Sequence, residues 1–221
     1  MMDFQSDLIG RNLPLLFSAT ITTIAITLAA FAVALLIAIG VGMVRRYYQQ
    51  GIVSVILCIY IEIFRGTPLL VQLFFIYYGL PSVGIILDAF TAGVIGLALN
   101  CGAYMSETIR AAMTSVSRGQ EEAAYSLGFS RFQTIRYIVF PQAIRVAIPP
   151  MMNSFSSLLK DSSLVSVISI TELTRVGNLI YSRTSRPFEI YLILGIFYFV
   201  MTFSVTLISR YLEKRSSRWV R

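Results

Sequence analysis

The chain has 221 residues, of which 56% are hydrophobic and 13% charged, with a net charge of +7 and a mean hydropathy of +0.74. This composition excludes an ordinary soluble domain, in which about 25% of residues are charged. The basic residues are scattered between apolar runs, which argues against nucleic acid as a partner. The chain has no histidine, and Cys58 and Cys101 lack CxxC spacing, so we expect packing cysteines and no metal site.

Five charge-poor apolar runs are long enough to cross a bilayer as helices, the form that satisfies a single segment's backbone in lipid. They cover 14–44, 57–80, 88–110, 147–168 and 189–209. The first exceeds the bilayer thickness, so either its start lies along the interface or the helix tilts. The segment 47–64 either extends the second span or runs along the membrane surface before Gly66 and Pro68 break it. The sequence therefore predicts an all-α membrane protein with five transmembrane helices.

The distribution of basic residues predicts the orientation. Five spans place the two termini on opposite sides of the membrane. One side carries Arg45, Arg46, Arg110, Arg118, Arg131, Arg136, Arg145, Arg210, Lys214, Arg215, Arg218 and Arg221, and the other carries Arg11, Arg175, Arg183 and Arg186. By the positive-inside rule the first group is cytoplasmic, with the N-terminus outside and the C-terminus in the cytoplasm.

The polar stretch GQEEAAYSLGFSRFQTIRYIVFPQ (119–142) interrupts the apolar sequence on this side. Acidic residues begin a short helix, in keeping with the helix dipole, and Gly128 ends it. Ser130 and Gln133 have the spacing of a capping box for a second helix, which we expect to end at Pro141. Ala123 and Ala124 leave a low surface that another protein can approach. An amphipathic elbow on the membrane surface is the alternative interpretation.

The spacing of this stretch resembles the EAA loop of ABC importer permeases, where a short coupling helix docks into a cytoplasmic ATPase. Segments 64–81, 99–112, 119–128, 141–150 and 157–168 resemble the polar amino acid uptake permeases, and NSFSSLLKDSSL with YSRTSRPFE is most similar to the cystine members. The resemblance implies one permease domain (1–221) with the type I ABC importer permease fold, a coupling loop at 113–141, and location in the bacterial cytoplasmic membrane. The ATPase-coupling residues that it implies are Glu122, Ala123, Ala124 and Gly128.

The chain lacks a GxxxxGK(S/T) phosphate loop, so we expect ATP and Mg²⁺ to bind to a partner ATPase and no cofactor to bind here. The resemblance implies an ATPase dimer, a second permease chain that is the same or similar, and an extracytoplasmic substrate-binding protein. Two other classes are less favoured. An intramembrane hydrolase lacks GxSxG and HExxH motifs, and a secondary transporter usually shows inverted repeats, which this sequence does not.

Charges near the second span suggest a gate. Glu62 and Arg65 have the i,i+3 spacing at which side chains pair. Gly66 and Pro68 follow, so the helix there loses a backbone bond and bends. The resemblance places this segment near the inner mouth, which favours Arg65, Gly66 and Pro68 as gate residues over a simple interfacial anchor.

Two polar stripes predict the substrate pathway. On the fourth span Ser154, Ser157 and Asp161 recur on one helical face, with Asn153 beside them. On the third span Asn100, Tyr104 and Glu107 repeat this geometry. An ionisable residue inside a span is costly unless it faces protein or water, which favours a pathway over helix contacts in a dimer.

The stripes also bear on the substrate. Every amino acid carries an ammonium group, and Asp161 is the one acid on the fourth-span stripe. A basic substrate needs a second anion, but position 154 is a serine, and Glu107 lies close to Arg110. We therefore expect a polar amino acid without a cationic side chain. L-Cystine comes first on family resemblance, with glutamine or another neutral amino acid next and arginine as a further alternative.

Overall fold

The computed structural model describes residues 6–48 and 50–217, whose regular structure is entirely helical. The α-helices are α1 (Ser6–Tyr47), α2 (Ile52–Gly66), α3 (Leu69–Phe74), α4 (Ala89–Thr114), α5 (Arg118–Ser126), α6 (Arg131–Thr134), α7 (Phe140–Asp161), α8 (Leu173–Thr184) and α9 (Pro187–Ser217). Shorter π and 3₁₀ segments connect several of them: Phe75–Gly79, Leu80–Val83, Ile135–Val139 and Ser162–Ile168. Arg218 and Arg221 of the predicted cytoplasmic tail lie outside the described residues.

Three helices are long and apolar enough to span a membrane alone: Gly10–Tyr47, Ala89–Thr114 and Pro187–Lys214. Two bent pairs of segments raise the number to five if each pair forms one span. The first, third and fifth predicted spans are confirmed as single helices. The helix of the first span is continuous for 38 residues, about 57 Å at 1.5 Å per residue, so its start is not a separate interfacial helix.

Helix α1 packs along α4 through small side chains. Ala30, Ala34 and Ala38 recur every four residues on one face and are fully buried. Gly42 continues the row, and a Cβ atom there would lie 2.8 Å from the backbone oxygen of Ser106 in α4. Small residues at this spacing let two helices approach closely in a membrane, where packing drives helix association.

The second predicted span is broken. Helix α2 ends at Gly66, Thr67 has an extended backbone, and Pro68 precedes α3. The helix direction changes by 110° between the two halves. The bent pair Ile52–Gly66 and Leu69–Val83 contains the predicted second span, and the predicted break at Gly66 and Pro68 is confirmed. Proline fixes its own φ and disfavours a helical conformation in the preceding residue, which explains the change of direction.

The fourth predicted span differs in its bounds. Helix α6 continues through the π segment Ile135–Val139 into α7, so the expected helix end at Pro141 is wrong. Pro141 lies in the first turn of α7, and the wider π turn absorbs the backbone bond that a proline cannot make. The span then bends by 53° before α8.

The bend before α8 is held by a buried carboxyl group. The fully buried Glu172 side chain accepts the backbone N–H groups of Thr174 (2.9 Å) and Arg175 (2.7 Å), which caps α8. The hydroxyl of Tyr198 in α9 donates to the same carboxyl group (3.0 Å). This contact ties α8 to α9, beside a second apolar core formed by Leu16, Ala19, Leu173, Val176, Ile180, Ile190 and Leu194.

Candidate substrate pathway and coupling surface

A cavity of about 530 Å³ lies between α4, α7 and the break between α2 and α3. Its lining consists of Thr67, Pro68, Leu69, Asn100, Cys101, Tyr104, Asn153, Ser154, Ser157, Leu158 and Asp161. All six residues predicted for the pathway are among them. The two polar stripes therefore face the same space, and Pro68 of the predicted gate borders it.

Glu107, the third member of the stripe on the third span, does not line the cavity. Its carboxylate forms ion pairs with Arg45 at the end of α1 and with Arg110 (2.9 Å). It therefore ties α1 to α4 instead of contributing a second anion to the pathway.

Asn100 and Gln72 form an amide network at the break. Gln72 Nε2 donates to the carbonyl oxygens of Phe64 (3.0 Å) and Thr67 (3.1 Å), which the broken helix leaves without helical partners. Asn100 Nδ2 donates to Phe64 O and to Gln72 Oε1, both at 3.0 Å. Asn100 thus connects the cavity to the break. Sequence reasoning missed Gln72, although a glutamine in an apolar span four residues after a proline was an available signal.

Arg65 has a different partner from the one expected. Its guanidinium lies over the ring of Tyr104, 5.2 Å from the centroid, and Tyr104 lines the cavity. No ion pair joins Arg65 to Glu62 in the described part of the chain, so that pairing is wrong. This cation–π contact joins the end of α2 to α4.

The cavity has a mixed polar and apolar lining with one acidic group. Among the described residues that line it, Asp161 is the one with an ionisable carboxyl group, and none is basic. Asparagine amides and serine, threonine and tyrosine hydroxyls supply both donors and acceptors around it. Such a lining fits a small polar molecule that carries a positive group, and the volume lies within the roughly 300–1,000 Å³ of ligand pockets.

The turn between α5 and α6 is a Schellman motif. Gly128 adopts φ +82° and donates to Tyr125 O (2.9 Å), while Phe129 N–H donates to Ala124 O (3.0 Å). A Cβ at position 128 would meet nothing within 4 Å, so the backbone angle favours glycine there and space does not. Ser130 and Gln133 form both bonds of the predicted capping box.

The four predicted coupling residues differ in exposure. Glu122 and Ala123 are exposed, whereas Ala124 is 4% exposed and packs inside the chain. The expectation that both alanines form an accessible surface is wrong for Ala124, because helical geometry turns adjacent residues about 100° apart. Leu127 (79% exposed) and Phe132 (69%) flank the turn and form an apolar surface. Sequence reasoning missed this role; the signal was two large apolar residues beside a polar corner.

These features define a multi-pass membrane permease: up to five spans, a cavity between them that is lined on two helices by polar side chains, and a helical corner that presents apolar side chains. Residues 34–218 match the model of a family described as "Binding-protein-dependent transport system inner membrane component", and the chain belongs to this family. It is therefore an inner-membrane transport component and not an enzyme.

Individual relatives of this chain are also named as transport proteins. The glutamine transport system permease protein GlnP of Escherichia coli is 37% identical over 216 residues, which is 97% of this chain and 98% of that protein. The L-cystine transport system permease protein TcyB of Bacillus subtilis is also 37% identical over 216 residues, 97% of this chain and 92% of that protein. A crystal structure of an amino acid ABC transporter with histidines has a chain that is 40% identical, with a TM-score of 0.87 and 97% and 99% coverage. The fold is that of type I ABC importer permeases.

Proposed function

We propose that this chain is the permease subunit of an ATP-driven ABC importer that carries a polar amino acid into the cytoplasm through the cavity between α4 and α7. The observation that carries the proposal is the meeting of the two polar stripes around one cavity with a single acidic group, Asp161. The names of the relatives support an amino acid as the class of substrate.

In this cavity Asp161 accepts hydrogen bonds from the substrate ammonium group. Ser154 and Ser157 offer hydroxyls to the carboxylate or to a neutral side chain. The lining holds no second acidic group among the described residues to receive a distal cation. We therefore propose a substrate without a cationic side chain.

Within that class we place L-cystine first and glutamine second. The segments 153–164 and 181–189 resemble cystine permeases, and a relative named for cystine is 37% identical. A relative named for glutamine has the same identity, so glutamine stands as the alternative.

Helix α5 and the turn at Gly128 dock onto a partner ATPase that binds ATP and Mg²⁺. Exposed Glu122 and Ala123 lie on this helix, and exposed Leu127 and Phe132 supply the apolar area that a docking contact needs. A complete importer contains two permease chains, same or similar, an ATPase dimer and an external binding protein. With α5 in the cytoplasm, the N-terminus lies outside.

The experiment has two arms. The tagged full chain, extracted in mild detergent, should copurify with an ABC ATPase. Uptake of labelled cystine by cells that depend on this system should fall with excess unlabelled cystine, fall less with glutamine, and persist with arginine.

The arms separate the levels of the proposal. Copurification without any ATPase contradicts the importer. Strong inhibition by arginine alone contradicts the assignment of Asp161 as the one anion that recognises the substrate, and inhibition mainly by glutamine replaces cystine with glutamine.

A further inference from the structure

A second cleft lies at the end of α1, apart from the cavity between α4 and α7. It has a volume of about 620 Å³ and shares no lining residue with that cavity. Its lining consists of Arg46, Tyr47, Tyr48, Gln50, Arg118, Glu121, Tyr125 and Arg131. The end of α1, the coupling helix α5 and the start of α6 therefore enclose one polar space.

The charges in this cleft do not balance. Arg46 pairs with Glu121 at 3.1 Å. Arg118 and Arg131 are exposed, and no carboxylate lies within ion-pair distance of either among residues 6–48 and 50–217. Three guanidinium groups and one carboxylate leave an excess of two positive charges.

Aromatic rings hold one of these guanidinium groups in place. Arg131 lies over the ring of Tyr48 (4.9 Å to the centroid) and that of Tyr47 (5.4 Å), and it donates to Tyr47 O at 2.5 Å. A guanidinium held in this way is pre-organised, so it loses little freedom on binding an anion.

Two buried donors on residues that line the cleft lack an acceptor. Arg46 Nε and the Tyr47 hydroxyl are buried and have no hydrogen-bond partner in the described structure. Buried polar groups are nearly always hydrogen-bonded in native proteins. The donors, like the charges, call for an added anion with several acceptor oxygens.

The position of the cleft indicates where that anion comes from. Helix α1 is a candidate span that ends at Tyr47, and paired tyrosines beside arginines are typical of the lipid headgroup level. Leu36 is 74% exposed and lies three turns before Tyr47 on nearly the same face of α1. A lipid whose headgroup occupies the cleft can lay its acyl chains along this apolar face.

We propose that this cleft binds the phosphate of an anionic phospholipid headgroup. Arg118 and Arg131 contribute the charge, since guanidinium groups form strong paired hydrogen bonds with phosphate. Tyr47 donates a further hydrogen bond. Because the cleft joins α1 to α5, the bound lipid steadies the coupling helix. The binding itself does not depend on the proposed transport function.

The test uses the full chain in non-ionic detergent, titrated with dioctanoyl phosphatidylglycerol, dioctanoyl phosphatidylcholine or inorganic phosphate, with binding followed by thermophoresis. We expect saturable binding of phosphatidylglycerol and none of phosphatidylcholine. Substituting Arg118→Gln and Arg131→Gln together should weaken the binding about tenfold or more. The matched control is Arg136→Gln with Arg145→Gln. It also removes two positive charges, from exposed positions of the same region outside the cleft, and should leave the affinity unchanged.

Equal weakening in the cleft variant and the control would overturn the proposal, since it would show a response to net charge alone. Inorganic phosphate binding as tightly as phosphatidylglycerol would also overturn it, in favour of a soluble anion. If an added ABC ATPase weakened the binding of phosphatidylglycerol and a competing lipid did not, the cleft would be a protein contact, and the proposal would be overturned. Tyr47→Phe keeps the ring and removes one donor, and it should weaken the binding severalfold even if the double variant does not fold.

Discussion

Asp161 stands at the centre of the proposed pathway. It is the acidic residue of a cavity otherwise lined by amides, hydroxyls and apolar groups. A carboxylate in a membrane span is costly unless it faces protein or water, and the cavity provides the polar surroundings. We propose that Asp161 receives the positive group of the substrate there.

We expect Asp161→Asn to reduce uptake about tenfold or more, since a hydrogen bond to a charged group contributes about 1.5–3 kcal/mol. Uptake of labelled substrate by reconstituted complexes measures the effect, and size-exclusion chromatography checks that the complex still assembles. Lys160→Gln is the control, because Lys160 is adjacent and exposed but does not line the cavity. Normal uptake by the Asp161 variant would remove Asp161 from the substrate site.

Ser154 lies on the same face as Asp161 and donates to Pro150 O in its own helix (3.1 Å). Ser154→Glu adds a second anion to the cavity and should shift preference toward arginine and lysine, because the added carboxylate pairs with a distal cation. Competition assays with unlabelled amino acids measure the shift. Ser154→Gln has nearly the same size without the charge and should not produce it; a shift in both variants would mean that volume, not charge, selects the substrate.

At the scale of elements, the break between α2 and α3 connects to the cavity twice. Asn100 and Gln72 bind the carbonyl groups that the break exposes, and Arg65 lies over Tyr104. Both contacts join the bent segment to α4, which lines the cavity. Residues that line the cavity are therefore in direct contact with the predicted gate.

We expect Arg65→Ala to raise basal ATP hydrolysis of the reconstituted complex about two- to fivefold, because an exposed cation–π contact contributes about 0.5–1 kcal/mol and its loss frees the break. ATPase binding should be unaffected. Glu62→Gln, on the same helix and without an ion pair to Arg65, is the control. Unchanged basal and substrate-stimulated rates in the Arg65 variant would leave an interfacial anchor as its role.

The corner between α5 and α6 depends on one backbone angle. Gly128→Val should abolish uptake while the chain still inserts, because a β-branched residue does not tolerate φ +82°. Gly128→Asn should retain most of the activity, since asparagine adopts the left-handed conformation more readily. Uptake and ATPase copurification measure both. If the valine variant shows normal uptake and copurifies with the ATPase, the direction in which the turn orients α5 does not matter for docking.

Across the whole molecule, α1 and α4 form an extensive helix–helix contact within the described residues. Their close approach relies on small residues, and the ion pairs of Arg45 with Glu107 and Arg46 with Glu121 fasten the end of α1 to α4 and α5. Adjacent arginines thus reach two different helices. The Arg46–Glu121 ion pair gives α5 a direct contact with α1.

Gly42→Ala tests this contact. The added methyl group would lie 2.8 Å from Ser106 O, a backbone atom that cannot move aside alone. We expect a loss of about 1–3 kcal/mol of stability from overpacking. Thermal unfolding in detergent measures it. Gly40→Ala, where a Cβ meets nothing within 4 Å, is the matched control and should be neutral or slightly stabilising. Equal stability of the two variants would show that α1 and α4 pack less closely.

The amino-acid sequence was enough to predict the features that arise from local chemistry. Long apolar runs marked three spans correctly because bilayer thickness sets their length. The turn at Gly128 and the capping box at Ser130 followed from residue types at fixed spacings. Helical periodicity placed Ser154, Ser157 and Asp161 on one face, as it placed Asn100 and Tyr104, and the structure brings both faces to one cavity.

The contacts between groups on different helices could not be predicted from the sequence, because they depend on how the helices pack. Arg65 of α2 lies over Tyr104 of α4 and does not pair with Glu62 of its own helix, although the i,i+3 spacing would allow that pair. Packing between helices pairs Glu107 of α4 with Arg45 of α1 and buries Ala124 on the inner side of α5. The continuation through Pro141 required a π turn. The amides of Gln72 and Asn100 are satisfied by carbonyl groups that only the broken backbone leaves free. Periodicity specifies a face of a helix, but the partner of that face depends on how the helices pack and bend, because contacts between them join residues far apart in sequence.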